Sequence, residues 1–229
     1  MTKEEYIKKY KDNADAPGRS AIDAYLKEFY PKMDFRHYPI QEEDEFYDAN
    51  QNNLQGVSIF DVEEPIKHRH LISYGLSELY FNEKAFGQKF SKWGFELTFR
   101  VLPFEQDEDN KNKTFGDPIW ATQVMNNLAQ FVNQTQHWFM PNQFLPVNGP
   151  IRLECDTDIT GLIFVEDPIL ETIETLHGNV QFLQIVGITS KELEFLLEEP
   201  NLERLKELEQ KLRTNNPLLI TDLNRKSVI

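Results

Sequence analysis

The run Trp93-Gly94-Phe95-Glu96-Leu97-Thr98-Phe99-Arg100-Val101 constrains the fold more than any other stretch of the chain. Phe95, Leu97, Phe99 and Val101 fall on one face; Glu96, Thr98 and Arg100 fall on the other. That period of two marks a strand with one face in a core. Its aromatic and β-branched content agrees. The polar face carries an acid, a hydroxyl and a base within five residues. We expect it to be a solvated sheet face with a cross-face ion pair. The competing reading is a polar binding surface on one side of a sheet.

Other segments read as partners for that strand. Residues 57–62, 68–74 and 159–165 have strand composition. Residues 180–187 are apolar apart from two glutamines, which suits a central strand, and 218–221 read as a last short strand. Helices alternate with them irregularly. Ser20 with Asp23 predicts a capped helix over 19–30, striped by Ile22, Tyr25, Leu26 and Phe29. Asp117-Pro118 starts a helix over about 118–136, with Asp117 as cap. Thr189 with Glu192 forms a capping box, and Leu202, Leu205, Leu208 and Leu212 stripe a helix over 201–213. Residues 31–56 look polar and irregular, with an acidic run at 42–45, and 103–116 read as a mobile loop. Residues 1–16 read as a loosely packed extension in which Tyr6, Ile7 and Tyr10 line a short helix. The remainder, 17–229, reads as one domain without a linker. Strands and helices do not alternate as βαβ units. The expected class is therefore α/β of the α+β type, with a mixed, largely antiparallel sheet and helices packed against it.

Charge and motifs narrow the function. The 38 acidic residues against 24 basic ones give a net charge of -14. Such a surface repels nucleic acid and anionic membrane and suits a basic protein partner. No signal-peptide pattern or apolar run of spanning length is present, so a cytoplasmic location is expected. The single Cys155 builds neither an internal disulfide nor a cysteine-rich metal site. His68 and His70 share a strand face and could ligate one metal, but a third ligand at suitable spacing is missing; structural histidines are the expectation. Glu154, Asp156 and Asp158 read as a solvated strand entry. Glu166 and Asp167 are adjacent on extended chain and point apart, a poor acid–base pair; Asp167 before Pro168 reads as a turn residue. Phosphate-binding, dinucleotide, nucleophile-elbow and zinc-protease motifs are all missing from the sequence. No cofactor and no catalytic residue are assigned.

Several blocks together resemble the Suppressor of fused domain family. They are HRHLISYGLSELY at 68–80, GFELTFR at 94–100, PIWA at 118–121, LAQFV at 128–132, EDP at 166–168, VQFLQIVG at 180–187 and LITDL at 219–223. The resemblance covers about 17–229 and looks like the shorter, stand-alone bacterial-type member. It implies a non-enzymatic domain that works by binding another protein. Animal members grip a peptide partly by strand addition between two domains. In their pattern an acid follows the helix at a contact position, where this chain reads Pro141-Asn142-Gln143-Phe144. The animal partner is therefore not carried over. Bacterial members have been proposed as immunity proteins, so the leading expectation is an inhibitor of a basic toxin domain. The expected partner-binding positions are Tyr74, Glu96, Arg100, Phe131 and Asp167, through polar-face or helix-end exposure. The alternatives are an adaptor that binds an extended peptide at an open sheet edge, and a small-ligand binder or enzyme on the polar sheet face.

Overall fold

A computed structural model of the protein describes residues 1–12, 14–42, 47, 53–104, 108–109 and 114–229. The acidic run at 43–45 and the middle of the 103–116 loop lie outside the described residues. In chain order the elements begin with α1 (Lys3–Lys9), α2 (Pro17–Phe29), β1 (Phe35–Pro39), β2 (Gly56–Val62), β3 (His68–Tyr74) and β4 (Phe90–Val101). A two-residue pair, β5 (Glu108–Asp109) and β6 (Thr114–Phe115), precedes α3 (Ile119–Thr135). Then come β7 (Gln143–Pro146), β8 (Ile159–Glu166), β9 (Ile173–Thr175), β10 (Gly178–Thr189), α4 (Ser190–Glu198) and α5 (Leu202–Asn215).

One sheet runs β1-β2-β3-β4-β10-β8-β7, with β9 added to β10. Every described pairing in it is antiparallel except β4 with β10, which is parallel. The fold is the expected mixed, largely antiparallel α/β domain, and β10 is the central strand that its composition predicts.

The two faces of the sheet are covered differently. Leu97, Phe99, Leu183, Ile185 and Phe164 point to one side, where α3 packs Ala121, Met125, Leu128 and Val132 onto them. That is the apolar face of the alternating strand, and the i, i+4, i+7 stripe of α3 explains why a helix covers it. On the other side the cover is split. Ile22 and Leu26 of α2 pack on Phe60, Ile72 and Phe182. Leu196, Leu205, Leu208 and Leu212 of α4 and α5 pack on Ile163, Val165, Val186 and Ile188. Between these two apolar clusters lies a strip of polar side chains.

Several local expectations are corrected. The 31–56 region is not wholly irregular, because β1 lies in it and pairs with β2. Helix α2 starts at Pro17, not Ser20. Proline fits the first helical position, and Ser20 Oγ donates back to the Ala16 carbonyl instead of capping. Asp117 caps nothing; its carboxylate accepts from Arg36 Nε (2.6 Å) and Tyr38 OH (2.6 Å). Residues 218–221 form only a single bridge, Val101 with Thr221. The N-terminal helix is not loosely packed. Thr2 and Glu5 close a capping box on α1, and the Tyr6 ring is fully buried. The Tyr6 hydroxyl meets His177 Nε2 at 2.7 Å. His177 Nδ1 donates to the Glu78 carbonyl, so in the neutral ring Nε2 accepts from tyrosine.

The Thr189 box is formed as expected. Thr189 Oγ1 accepts from Glu192 N, and Glu192 Oε2 accepts from Thr189 N at 2.8 Å. Thr189→Ala is expected to cost about 1 kcal/mol. Urea unfolding should show a lower midpoint at an unchanged slope.

Candidate protein-binding site

The polar face of β4 is not solvated. Glu96 and Thr98 are completely buried and Arg100 is 2% exposed. No ion pair runs along the strand; each charged group finds its partners elsewhere. Arg100 donates to Asp167 through both terminal nitrogens, Nη1 to Oδ2 at 2.6 Å and Nη2 to Oδ1 at 3.0 Å. It also donates to Gln184 Oε1 on the neighbouring β10. Thr98 Oγ1 donates to Asp167 Oδ2 (2.7 Å). Asp167 Oδ1 accepts from the amides of Ile169 and Leu170, both at 2.9 Å. Asp167 is thus the expected turn residue, and the same carboxylate also neutralises the buried guanidinium.

His70 completes this cluster. Its Nε2 lies 3.4 Å from Asp167 Oδ2, and its Nδ1 meets the Tyr30 hydroxyl at the end of α2. Nε2 makes no hydrogen bond among the described residues, so its approach to Asp167 is electrostatic. Complete burial, with the Arg100 charge adding to it, pushes the imidazole down to about 4. Burial alone would raise the Asp167 carboxyl, but His70 and Arg100 outweigh it and hold it below the usual carboxylate range. His68 points elsewhere and engages the Ile66 carbonyl at 2.7 Å. Among the described residues no three His, Cys, Asp or Glu side chains are grouped to hold a metal ion.

Glu96 sits in a separate nest. It accepts from Ser73 Oγ (2.6 Å), Ser77 Oγ (2.6 Å) and the amides of Gly75 and Ser77 (2.9 Å each). Burial raises its pKa, and these donors limit the rise. Gly75 (φ 128°) turns the chain back so that the amides converge on the carboxylate. Tyr74 is also buried, and its hydroxyl donates to Asp23 of α2 at 2.8 Å.

Four of the five expected contact positions, Tyr74, Glu96, Arg100 and Asp167, are therefore not exposed as supposed. They lie under α2, or in the strip between the two apolar clusters. Arg100 and Asp167 bind each other, Glu96 is held by Ser73, Gly75 and Ser77, and Tyr74 by Asp23, so all four position the sheet and its cover. Phe131 is different. It is 38% exposed at the end of α3, and its ring stacks on Phe139 (5.6 Å, 18°). It borders a groove of about 450 Å³ walled by Trp138, Phe139, Phe144, Leu145 and Leu202. Trp138 is 52% exposed and Leu202 50%. Gln136 ends α3 in the left-handed conformation and turns the chain into this wall.

Strand β7 forms one side of the groove and is the last strand of the sheet on that edge among the described residues. Val147 N–H bonds the Thr160 carbonyl on β8. Antiparallel alternation then turns Leu145 toward β8 and leaves the N–H and C=O of Phe144 on the outer side. Pro146 has no N–H to offer there. Sequence reasoning gave no binding role to Trp138, Phe144 or Leu202. Leu202 was read only as part of a helix stripe, and the 141–144 segment only as the place where the acid of the family pattern is missing.

Against known proteins, the model of the family described as Suppressor of fused protein (SUFU) matches residues 50–226. The chain belongs to the Suppressor of fused family. Its match to the human Suppressor of fused homolog is 34% identical over 173 residues, covering 71% of this chain and 33% of the human protein. The chain thus spans about a third of the length of that relative. Among solved structures it resembles a chain of the Sufu–Fu complex, with a TM-score of 0.78, 27% identity and 93% of both chains covered. Drosophila Suppressor of Fused gives a TM-score of 0.76 at 25% identity, covering 95% of this chain and 52% of that one. For this SUFU domain, no helix among the described residues is long and apolar enough to cross a membrane.

Proposed function

We propose that this SUFU domain is a protein-binding module. In this reading it takes an extended segment of its partner along the outer side of β7, over the groove of Phe131, Trp138, Phe144 and Leu202. The observation that carries it is an open sheet edge beside exposed large apolar side chains. Strand addition supplies main-chain bonds, and pockets beside the strand supply selectivity. Tryptophan is the residue type most enriched among binding hot spots. The related chain crystallised as a Sufu–Fu complex supports a protein partner as the class. The polar strip supports no catalytic role: the strong donors and acceptors of Arg100, Asp167 and Glu96 are engaged internally. The cleft beside Asp167 holds about 170 Å³, below the size of small-molecule sites.

The finer reading is an immunity-type inhibitor whose partner is a basic toxin domain. The net charge of -14 supports it, because an acidic surface speeds association with a basic protein at low salt. Wild-type protein and Trp138→Ser, compared in capture from host lysate, test both levels. Trp138→Ser is expected to weaken retention of the partner at least tenfold, about 1.4 kcal/mol, with unfolding little changed. Equal retention by both proteins would remove the groove from the interface. A captured partner without a toxic activity that the chain suppresses would end the immunity reading and leave the binding one.

A further inference from the structure

Asn148 is the only asparagine in the chain that is followed by glycine; a residue with a side chain follows every other one. The pair stands where β7 hands over to β8. Val147 N–H donates to the Thr160 carbonyl at 3.0 Å, and Ile151 N–H donates to the Ile159 carbonyl at 2.8 Å. Residues 148–150 therefore leave the sheet between two anchors on β8. Asn148 is exposed and has a left-handed backbone, with φ 56°. Gly149 has φ 146°, and a side chain there would meet no described atom within 4 Å. The step is open to water, and its second residue turns with the freedom of glycine.

Other asparagine side chains are tied down. Asn126 Oδ1 accepts from Leu54 N, Asn201 Oδ1 caps α5 by accepting from Arg204 N, and Asn216 Oδ1 accepts from Ile220 N, each at 2.9 Å. Among the described residues no hydrogen bond holds the Asn148 side-chain amide or the Gly149 N–H. The Asn148 amide carbon and the Gly149 nitrogen are thus both unrestrained, and the glycine presents no side chain to obstruct their approach. Asn142 provides a comparison within the same molecule. It too is exposed and left-handed, with φ 64°, but Gln143 follows it and its own N–H donates to the Phe164 carbonyl.

We infer that Asn148-Gly149 is a site of self-modification by deamidation, with water as the co-reactant. The Gly149 nitrogen gives up its proton and bonds to Asn148 Cγ. The Cγ–Nδ2 bond breaks, and that nitrogen leaves as ammonia. Water then opens the resulting succinimide. Attack at the side-chain carbonyl gives aspartate; attack at the main-chain carbonyl gives isoaspartate, whose chain continues through the former side chain. Either product adds one negative charge to the loop. Isoaspartate alone also lengthens the main chain by a carbon, between the anchors at Val147 and Ile151. The end of the β7–β8 pair then loses its fit to Thr160 and Ile159. The inference stands apart from the strand-addition reading, although both concern β7.

Ageing the folded protein in warm, mildly alkaline buffer, followed by peptide mapping in a mass spectrometer, tests this. The mass shift of exchanging NH2 for OH is expected at Asn148 while Asn142 stays intact. It should develop faster as the pH rises, because the attacking nitrogen must lose its proton. An isoaspartate-specific carboxyl methyltransferase should label the aged wild type, and Asn148→Ser should lose both signals. Hydrogen exchange reads the effect on the sheet. The Val147 and Ile151 amides should exchange faster in the aged isoaspartyl form than in fresh protein. Asn148→Asp, which carries the charge without the added carbon, should exchange like fresh protein. Conversion at Asn148 in urea-unfolded chain but not in folded protein would show that the fold protects the loop and would overturn the inference. Conversion at Asn142 first would overturn it too. Unchanged exchange in the isoaspartyl form would overturn the predicted loss of fit at β8.

Discussion

Asp167→Asn is expected to destabilise the domain by about 3–5 kcal/mol, the cost of leaving a buried charge without its partner. The substitution keeps the shape and one acceptor oxygen but removes the charge that meets Arg100 at two points. For a chain of this size the loss corresponds to a drop in melting temperature of about 10 °C. The Arg100 guanidinium is nearly solvent-free, and Gln184, its other partner, brings no charge. Adding Arg100→Met to Asp167→Asn removes the stranded cation. The double variant is therefore expected to be more stable than Asp167→Asn alone. Urea unfolding of both single variants and the double variant measures the coupling. Strictly additive losses would show that the pair acts as two independent packing groups.

Acid is expected to weaken the fold before any carboxylate in this cluster titrates. His70 is wholly buried, and its pKa falls from an unfolded value of 6.5 to about 4. Above 6.5 both states are neutral and the contribution is complete. Between 6.5 and about 4 the unfolded chain takes up a proton that the folded chain refuses, so stability is lost as the pH falls. The slope approaches 1.4 kcal/mol per pH unit for one such group, about 3 kcal/mol across the window. Asp167 works in a lower window. Its folded pKa is depressed, so its contribution is present above the unfolded value of 3.8 and is lost only as the pH falls below that. Denaturation midpoints at pH 7, 6, 5 and 4 should fall steadily for the wild type. His70→Gln should flatten the decline, whatever its own stability. An unchanged slope in that variant would assign the acid sensitivity to the half-buried His37 and the buried His68, whose pKa values desolvation also lowers.

Much of the architecture was legible where a single rule acts alone. The period of two in β4, the leucine stripe of α5 and the Thr189 box each point to one local structure, and the fold honours them. The failures arose where tertiary partners overrode a local preference. Asp117 has cap chemistry, yet two basic groups and a tyrosine on other strands claim its carboxylate. The polar face of β4 looked like a wet surface because alternation reports which residues share a side, not what covers it. Two separate helical layers meet over that side, and the polar residues lie in the gap between them. The proposed binding surface was the least legible part. The ends of α3 and the start of α5 were legible to within a residue or so, but exposure of Trp138 and Leu202 depends on what packs beside those ends, which no local pattern reports. Phe131 was named because it belongs to a family block, and it lines the proposed groove.

The parallel pairing of β4 with β10 has a consequence for how the protein is made. Phe95 lies beside Gln181 and Leu97 beside Leu183, so partners in the middle of the sheet are 86 positions apart in the chain. Strands β1 to β4 arise one after another before β10 and pair with one another in sequence. A ribosome that has released them has produced a half-sheet whose central edge is open and apolar on one face. Arg100 at that stage lacks both Asp167 and Gln184. The edge closes only after β10 emerges, and Gln184 binds the Leu218 carbonyl only after a further 34 positions have followed it. Non-local pairing of this kind is the slow step of sheet formation. During synthesis the exposed central edge, more than the finished surface, is where this protein needs shelter from aggregation.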